Sequence, residues 1–175
     1  TGGVGSNVIQ IAKAFGARRI VAIDVADDKL EAARALGATD TVNSTKQDVH
    51  ETVFALTGGR GVDVAFEALG RPQTWTSALD ALRDGGRMVP IGLGAGVQTA
   101  QVEINRTVRR SQSIIGSYGA RTRQDLPEVI RLAAEGTIRY QDIVTRRFAL
   151  EDVAQGYELL RQGAVQGRGV VDMSL

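Results

Sequence analysis

Apolar positions recur along this chain in two alternating rhythms. Val4, Val8, Ile11, Ala12 and Phe15 fall at helical spacing and predict one apolar face of a helix. Ile20-Val21-Ala22-Ile23 follows as a short continuous run that reads as a buried strand ending at Asp24. Leu30, Ala33 and Leu36 share the face of a second helix, with capping-box spacing at Asp28-Lys29-Leu30-Glu31 and Gly37 placed to close it. Thr41-Val42 predicts a short strand. Ser44-Thr45-Lys46-Gln47 has the spacing of another capping box, ahead of a helix lined by Val49, Val53 and Leu56 and ended at Gly58-Gly59. Val62-Asp63-Val64-Ala65-Phe66 is the next strand. A helix with Trp75, Leu79 and Leu82 on one face, stopped by Gly85-Gly86, and the strand Met88-Val89-Pro90-Ile91 come after it. The stretch 102–109 is readable as helix or as extended chain. Ser113-Ile114-Ile115-Gly116-Ser117-Tyr118 reads as a strand, and a helix from Thr122 carries Leu126, Val129, Ile130 and Ala133 on one face. Past Gly136 come a strand-like 143–148, a helix over 151–162 with Val153, Tyr157 and Leu160 inward, and a strand-like 167–173.

Short strands alternating with amphipathic helices predict right-handed βαβ units and a parallel sheet, an α/β, doubly wound architecture. The expected division is residues 1–135 as a dinucleotide-binding domain and 136–175 as a C-terminal segment packing towards another domain. In such folds ligands lie beyond the carboxyl ends of the strands. Asp24, the stretch 67–70 and the stretch 92–94 are at strand ends and are expected to converge with the Gly-rich start of the chain.

That start, Thr1-Gly2-Gly3-Val4-Gly5-Ser6, opens the first helix. Unpaired N–H groups and the positive end of the helix dipole suit a phosphate there, and glycine admits close approach of the backbone. Gly2 and Gly5 fit the second and third glycines of G-x-G-x-x-G, whose first glycine would precede Thr1, so the chain is expected to be part of a longer protein. Asp24 follows Gly5 at the spacing expected for a carboxylate on a ribose 2′-hydroxyl, and an acid there repels a 2′-phosphate. A helix-capping role is the other reading of Asp24; strand, helix and spacing together favour the ribose, and hence NAD over NADP.

Charge and composition narrow the choices. With 21 Lys and Arg against 20 Asp and Glu, the formal net charge of +1 makes no electrostatic case for nucleic acid or a membrane surface. No apolar run reaches spanning length. Having no cysteine, the chain has no disulfide, thiolate nucleophile or cysteine-based metal site of its own. Its single histidine, His50, reads as a solvent-facing helix residue. No catalytic residue and no metal ligand are assigned.

The residues resemble a known family, the medium-chain dehydrogenase/reductases, and within it the zinc-dependent alcohol dehydrogenases. The resemblance rests on Gly2-Gly3-Val4-Gly5 with Gln10; Asp24 with Lys29 and Leu36-Gly37-Ala38; the run from Asp63 to Gly70; Gly86 through Gly92; Gly116-Ser117-Tyr118-Gly119; and Phe148-Ala149-Leu150-Glu151-Asp152-Val153 with Gly167-Arg168-Gly169. It implies a Rossmann-type sheet lacking its first strand, and a tail that belongs to a catalytic domain outside this chain. By the same resemblance Gly2, Gly3 and Val4, with Gly5, bind the pyrophosphate of NAD, helped by Arg168. Asp24 and Lys29 hold the adenosine ribose. Ala68, Leu69 and Arg71 lie along the adenosine, and Gly92, Leu93, Ser117 and Tyr118 near the nicotinamide. For the lysine and arginines a solvated surface role, and for Leu69, Leu93 and Tyr118 plain packing, remain open alternatives.

The implied activity is hydride transfer between NAD(H) and an alcohol/carbonyl pair. Zinc is expected only in the part of the enzyme outside this chain, so the chain alone is expected to bind NAD without catalysis. A zinc-free NADPH-dependent quinone or enoyl reductase and a cofactor-binding module without chemistry are the alternatives; Asp24 weighs against the first. A cytoplasmic location is expected. A homodimer through an exposed edge strand at 113–118 is also expected, with an edge covered by a loop as the alternative.

Overall fold

A computed structural model describes all 175 residues. The chain forms two compact units: Thr1–Thr41 with Arg121–Leu175, and Val42–Ala120.

The first unit begins with helix α1 (Gly3–Ala14), strand β1 (Val21–Asp24), helix α2 (Asp27–Leu36) and the start of strand β2 (Asp40–Asn43), which pairs with β1. Its later part holds α6 (Thr122–Ala134), β6 (Val144–Phe148), α7 (Val153–Arg161) and β7 (Arg168–Val171). The second unit contains α3 (Val49–Leu56), β3 (Val62–Glu67), α4 (Pro72–Asp80), β4 (Leu82–Pro90), α5 (Ile104–Arg109) and β5 (Ser113–Ile114). The architecture is Rossmann-like α/β: β3-β4-β5 form one parallel ladder and β6-β7 another.

In the first unit Ile9 of α1 packs with Ala22 of β1 and Leu30, Ala33 and Leu36 of α2. The inward face of α1 is therefore Ser6, Ile9 and Gln10, not the predicted stripe; Val4, Ile11 and Phe15 are exposed. Two stripes compete on this helix, and α2 together with a distant turn selects between them: the Gln10 Oε1 accepts the Arg139 N–H at 2.8 Å. The same kind of selection corrects two later helices. On α6 Leu132 faces inward, while Leu126, Val129 and Ile130 are exposed; the N–H groups of Thr137 and Ile138 bond back to the Leu132 carbonyl and fold buried Ile138 over that face. On α7 Tyr157 and Leu160 are exposed, because Gly156 meets the Phe148 ring so closely that a Cβ would stand 3.2 Å from it.

Caps and boundaries also shift. The start of α2 has no side-chain cap, its N-cap being Ala26. Asp48, not Ser44, caps α3, accepting the Glu51 N–H, while the Asn43 carboxamide oxygen takes the Thr45 N–H and hydroxyl in the preceding turn. Leu82 belongs to β4, not to α4: it pairs with Val62, and the Val62 N–H bonds the Ala81 carbonyl, so the sheet captures the chain before Gly85-Gly86. Around fully buried Leu82 and Met88 gather Ala65 and Leu79, with Trp75 against them. The stretch 102–109 resolves as α5 after an extended approach. Gly37 closes α2 at φ 120° as its position predicts. Beyond β5, the N–H groups of Ile115 and Ser117 continue to bond the Met88 and Pro90 carbonyls, and this strand is the edge of its ladder.

Candidate cofactor-binding residues

In the first unit the start of α1 is built for an anion. Its N-cap is Gly2, no side chain caps it, and the first turn has no acid. The leading N–H groups of a helix have no partner within it, and the dipole is positive at that end. Gly2 and Gly5 face open space. Gly3 does not: a Cβ there would lie 2.6 Å from the Arg168 Nε, so the guanidinium lies across the glycine turn. Two bonds deliver Arg168 from the tail. The Gln10 carboxamide holds the turn at Arg139, and the Arg168 N–H bonds the Ile143 carbonyl at 2.7 Å. Arg168 itself is exposed.

Asp24 ends β1, and its carboxylate is tied to the glycine turn. Oδ2 accepts the Thr1 hydroxyl at 2.9 Å. Oδ1 accepts the N–H groups of Val25 at 2.8 Å and Ala26 at 3.2 Å. Half-buried Lys29 lies in the first turn of α2, and its carbonyl is 3.3 Å from the Thr1 hydroxyl.

In the second unit two strand-end loops interlock. A Cβ on Gly70, whose φ is +77°, would come closer than 3.0 Å to the backbone of Leu93 and Gly94, and a Cβ on Gly92 closer than 3.0 Å to that of Leu69 and Gly70. Glu67, only 3% exposed, organises both loops. Its Oε1 accepts the N–H groups of Leu69 at 2.8 Å and Gly70 at 2.9 Å and the Thr74 hydroxyl at 2.7 Å, while Oε2 accepts Gly70 N–H at 3.0 Å. Its backbone carbonyl takes the N–H groups of Ile91 and Gly92. Leu69, Leu93 and Tyr118 stand exposed, as do Ala68, Arg71 and Ser117.

Thus the structure joins Gly3 to Arg168 and Asp24 to the glycine turn within the first unit, and Leu69 and Gly70 to Gly92 and Leu93 within the second. Reasoning from sequence assigned no individual role to three supporting residues. Thr1 holds Asp24; buried Ser6 donates to the Thr1 carbonyl at 3.2 Å; and Glu67 shapes the strand-end loops. The signal for Glu67 was an acid at a strand end, three residues before a glycine and seven before a threonine.

The sequence pattern described as "Zinc-binding dehydrogenase" matches residues 3–135. The chain belongs to this family. It is 33% identical over 162 residues to an L-threonine 3-dehydrogenase of Bacillus velezensis, covering 93% of this chain and 46% of that protein. Against the L-threonine 3-dehydrogenase of Burkholderia vietnamiensis the identity is 32% over 171 residues, covering 98% of this chain and 49% of that protein. Among solved structures, benzyl alcohol dehydrogenase from Acinetobacter calcoaceticus superposes with a TM-score of 0.90 at 28% identity, over 97% of this chain and 47% of the other. For 2R,3R-butanediol dehydrogenase from Bacillus subtilis the TM-score is 0.87 at 30% identity, over 97% of this chain and 48% of the other. The chain thus spans about half the length of the curated relatives it matches.

No group of three or more His, Cys, Asp or Glu side chains comes together to hold a metal ion. No helix is long and apolar enough to cross a membrane.

Proposed function

We propose that this chain is the NAD-binding portion of an alcohol dehydrogenase-like oxidoreductase that works, in a longer cytoplasmic enzyme, on an alcohol/carbonyl pair. One observation carries the reading: a strand-end carboxylate, Asp24, is bonded to a glycine turn that opens a helix, with an arginine laid across the same turn. The named activities of the relatives, on threonine, benzyl alcohol and butanediol, support the substrate class.

In this reading the N–H groups of Gly3, Val4 and Gly5 and the Arg168 guanidinium neutralise the pyrophosphate, with Gly2 leaving room for its approach. Asp24 accepts the adenosine ribose hydroxyls and repels a 2′-phosphate, and Lys29 lies in the helix turn beside that carboxylate. Bound NAD supplies the hydride acceptor. Ala68, Leu69 and Arg71 of the second unit serve the adenosine. The exposed apolar side chain of Leu93 and the backbone of Gly92, with Ser117 and Tyr118, serve the nicotinamide and exclude water there. The reading also includes a homodimer through the β5 edge, whose outer backbone groups are open to a second copy.

Fluorescence titration with NADH and NADPH tests it. NADH binding at least about tenfold tighter than NADPH, and weakened about tenfold by Arg168→Ala through loss of a charge-assisted hydrogen bond, is expected. Equal or better binding of NADPH would overturn the reading in favour of the zinc-free reductases.

A further inference from the structure

The Arg168 guanidinium lies against Gly3 but enters no salt bridge. Its place over the glycine turn is therefore set by the backbone that carries it, and that backbone is fixed at three consecutive residues. The Arg168 N–H bonds the Ile143 carbonyl at 2.7 Å. Gly167 has φ +65°, and a Cβ there would stand 2.3 Å from the same carbonyl, so the chain turns hard against Ile143. The Gln166 carbonyl accepts the Thr145 hydroxyl. These contacts stay inside the pair of strands β6 and β7 and give it its shape. The Gln166 side chain leaves that pair: its Nε2 donates to Asp28 Oδ2 at 2.6 Å, across 138 residues of sequence. Asp28 lies in the first turn of α2, next to Lys29. An amide donating to a carboxylate makes a charge-assisted bond. Half-buried Gln166 follows buried Val165, so the bond has a firm base on the tail side.

We propose that Gln166 is a positioning residue for the cofactor: through Asp28 it latches the start of β7 to α2, so that Arg168 already lies over the glycine turn when the pyrophosphate arrives. This rests on the assignment of Arg168 to the pyrophosphate of NAD and deepens it. The latch makes one frame of the two ends of the site, because α2 carries Lys29 beside the ribose carboxylate and, through Asp28, steadies the arginine. Without the latch, binding has to order that strand and its arginine, and the entropy lost in doing so lowers the affinity.

The test measures NADH affinity by fluorescence titration, and adenosine affinity by displacement of NADH, on the whole chain. Gln166→Leu fills much the same space without a donor. It is expected to weaken NADH about threefold to fivefold, the worth of one exposed net hydrogen bond and of the ordering it spares. Adenosine has the ribose but no phosphate, so its affinity should stay within about twofold, as for an independent part of the site. In an Arg168→Ala background Gln166→Leu should change NADH affinity by less than about twofold, since the latch then has nothing to position. At the other end of the bond, Asp28→Leu and Asp28→Asn both remove the charge and only asparagine keeps an accepting oxygen, so NADH should bind about threefold more weakly to the first than to the second. No loss with Gln166→Leu, the same loss in the Arg168→Ala background, an equal loss for adenosine, or equal affinities for the two Asp28 variants overturns the latch. Arg168→Ala separates the two ideas: if it weakens NADH while Gln166→Leu does not, only the latch fails, and if it leaves NADH affinity unchanged, the pyrophosphate assignment fails and takes the latch with it.

Discussion

Replacing Glu67 puts the interlocked loops of the second unit to a quantitative test. Its carboxylate accepts from the N–H groups of Leu69 and Gly70 and from the Thr74 hydroxyl, at 2.7–3.0 Å, and the residue is only 3% exposed. Hydrogen bonds to charged groups contribute about 1.5–3 kcal/mol each, and a buried donor left without a partner costs about 1–3 kcal/mol. Glu67→Ala strands all of these donors at once, yet water can enter the space and the loop can relax, so a loss of about 3–5 kcal/mol is expected instead of the full sum. In Glu67→Gln the amide oxygen keeps the place of Oε1, but the amide nitrogen turns a donor towards Gly70 N–H; the expected loss is about 2 kcal/mol. Thr74→Val removes one donor and leaves the carboxylate its two backbone partners, for about 1–2 kcal/mol. The chain's one tryptophan, Trp75, sits in α4 against the core of this unit and reports its unfolding. Urea titration followed at Trp75 should rank the midpoints Thr74→Val and Glu67→Gln above Glu67→Ala, with unchanged slope. A Glu67→Ala stability within about 0.5 kcal/mol of the unsubstituted chain would refute the idea that this carboxylate holds the loops.

A further outcome is expected from a single backbone conformation. Ser111, just past the C-cap of α5, has φ +49° and is the only residue other than glycine with positive φ. Ser111→Gly relieves that conformation and should stabilise the second unit by about 1 kcal/mol, read again from the Trp75 midpoint; a loss of stability would show that the serine side chain matters more than its backbone.

What could be read from the sequence followed from short-range physics. Glycine stops, the alternation of strand and helix, and the distance from Gly5 to Asp24 are local, and α2, β3 and β6 stand where their patterns put them. Which face of a helix turns inward is not local. On α1 the stripe through Val4, Ile11 and Phe15 is as regular as the one through Ile9, and only packing with α2 and the bond from Arg139 to Gln10, 129 residues apart, decides. Leu82 suits the face of α4 equally well, but pairing with Val62 gives it to β4. At the candidate site the glycines and Asp24 were visible because their spacing states a backbone requirement. The parts played by Thr1, Ser6 and Glu67 were not, because each acts through a hydrogen bond that the fold alone creates.

The most direct check of the central claim is cofactor preference after Asp24→Ala is combined with Val25→Arg. Asp24 is taken to accept the ribose hydroxyls and to repel a 2′-phosphate. Removing its charge and adding a cation beside it should therefore lower affinity for NADH and raise it for NADPH. The ratio should move by at least about tenfold, as expected when one charge-assisted hydrogen bond is lost to NADH and another is made to the 2′-phosphate. A ratio that stays where it was would contradict the account, and with it the assignment of this chain's first unit to NAD.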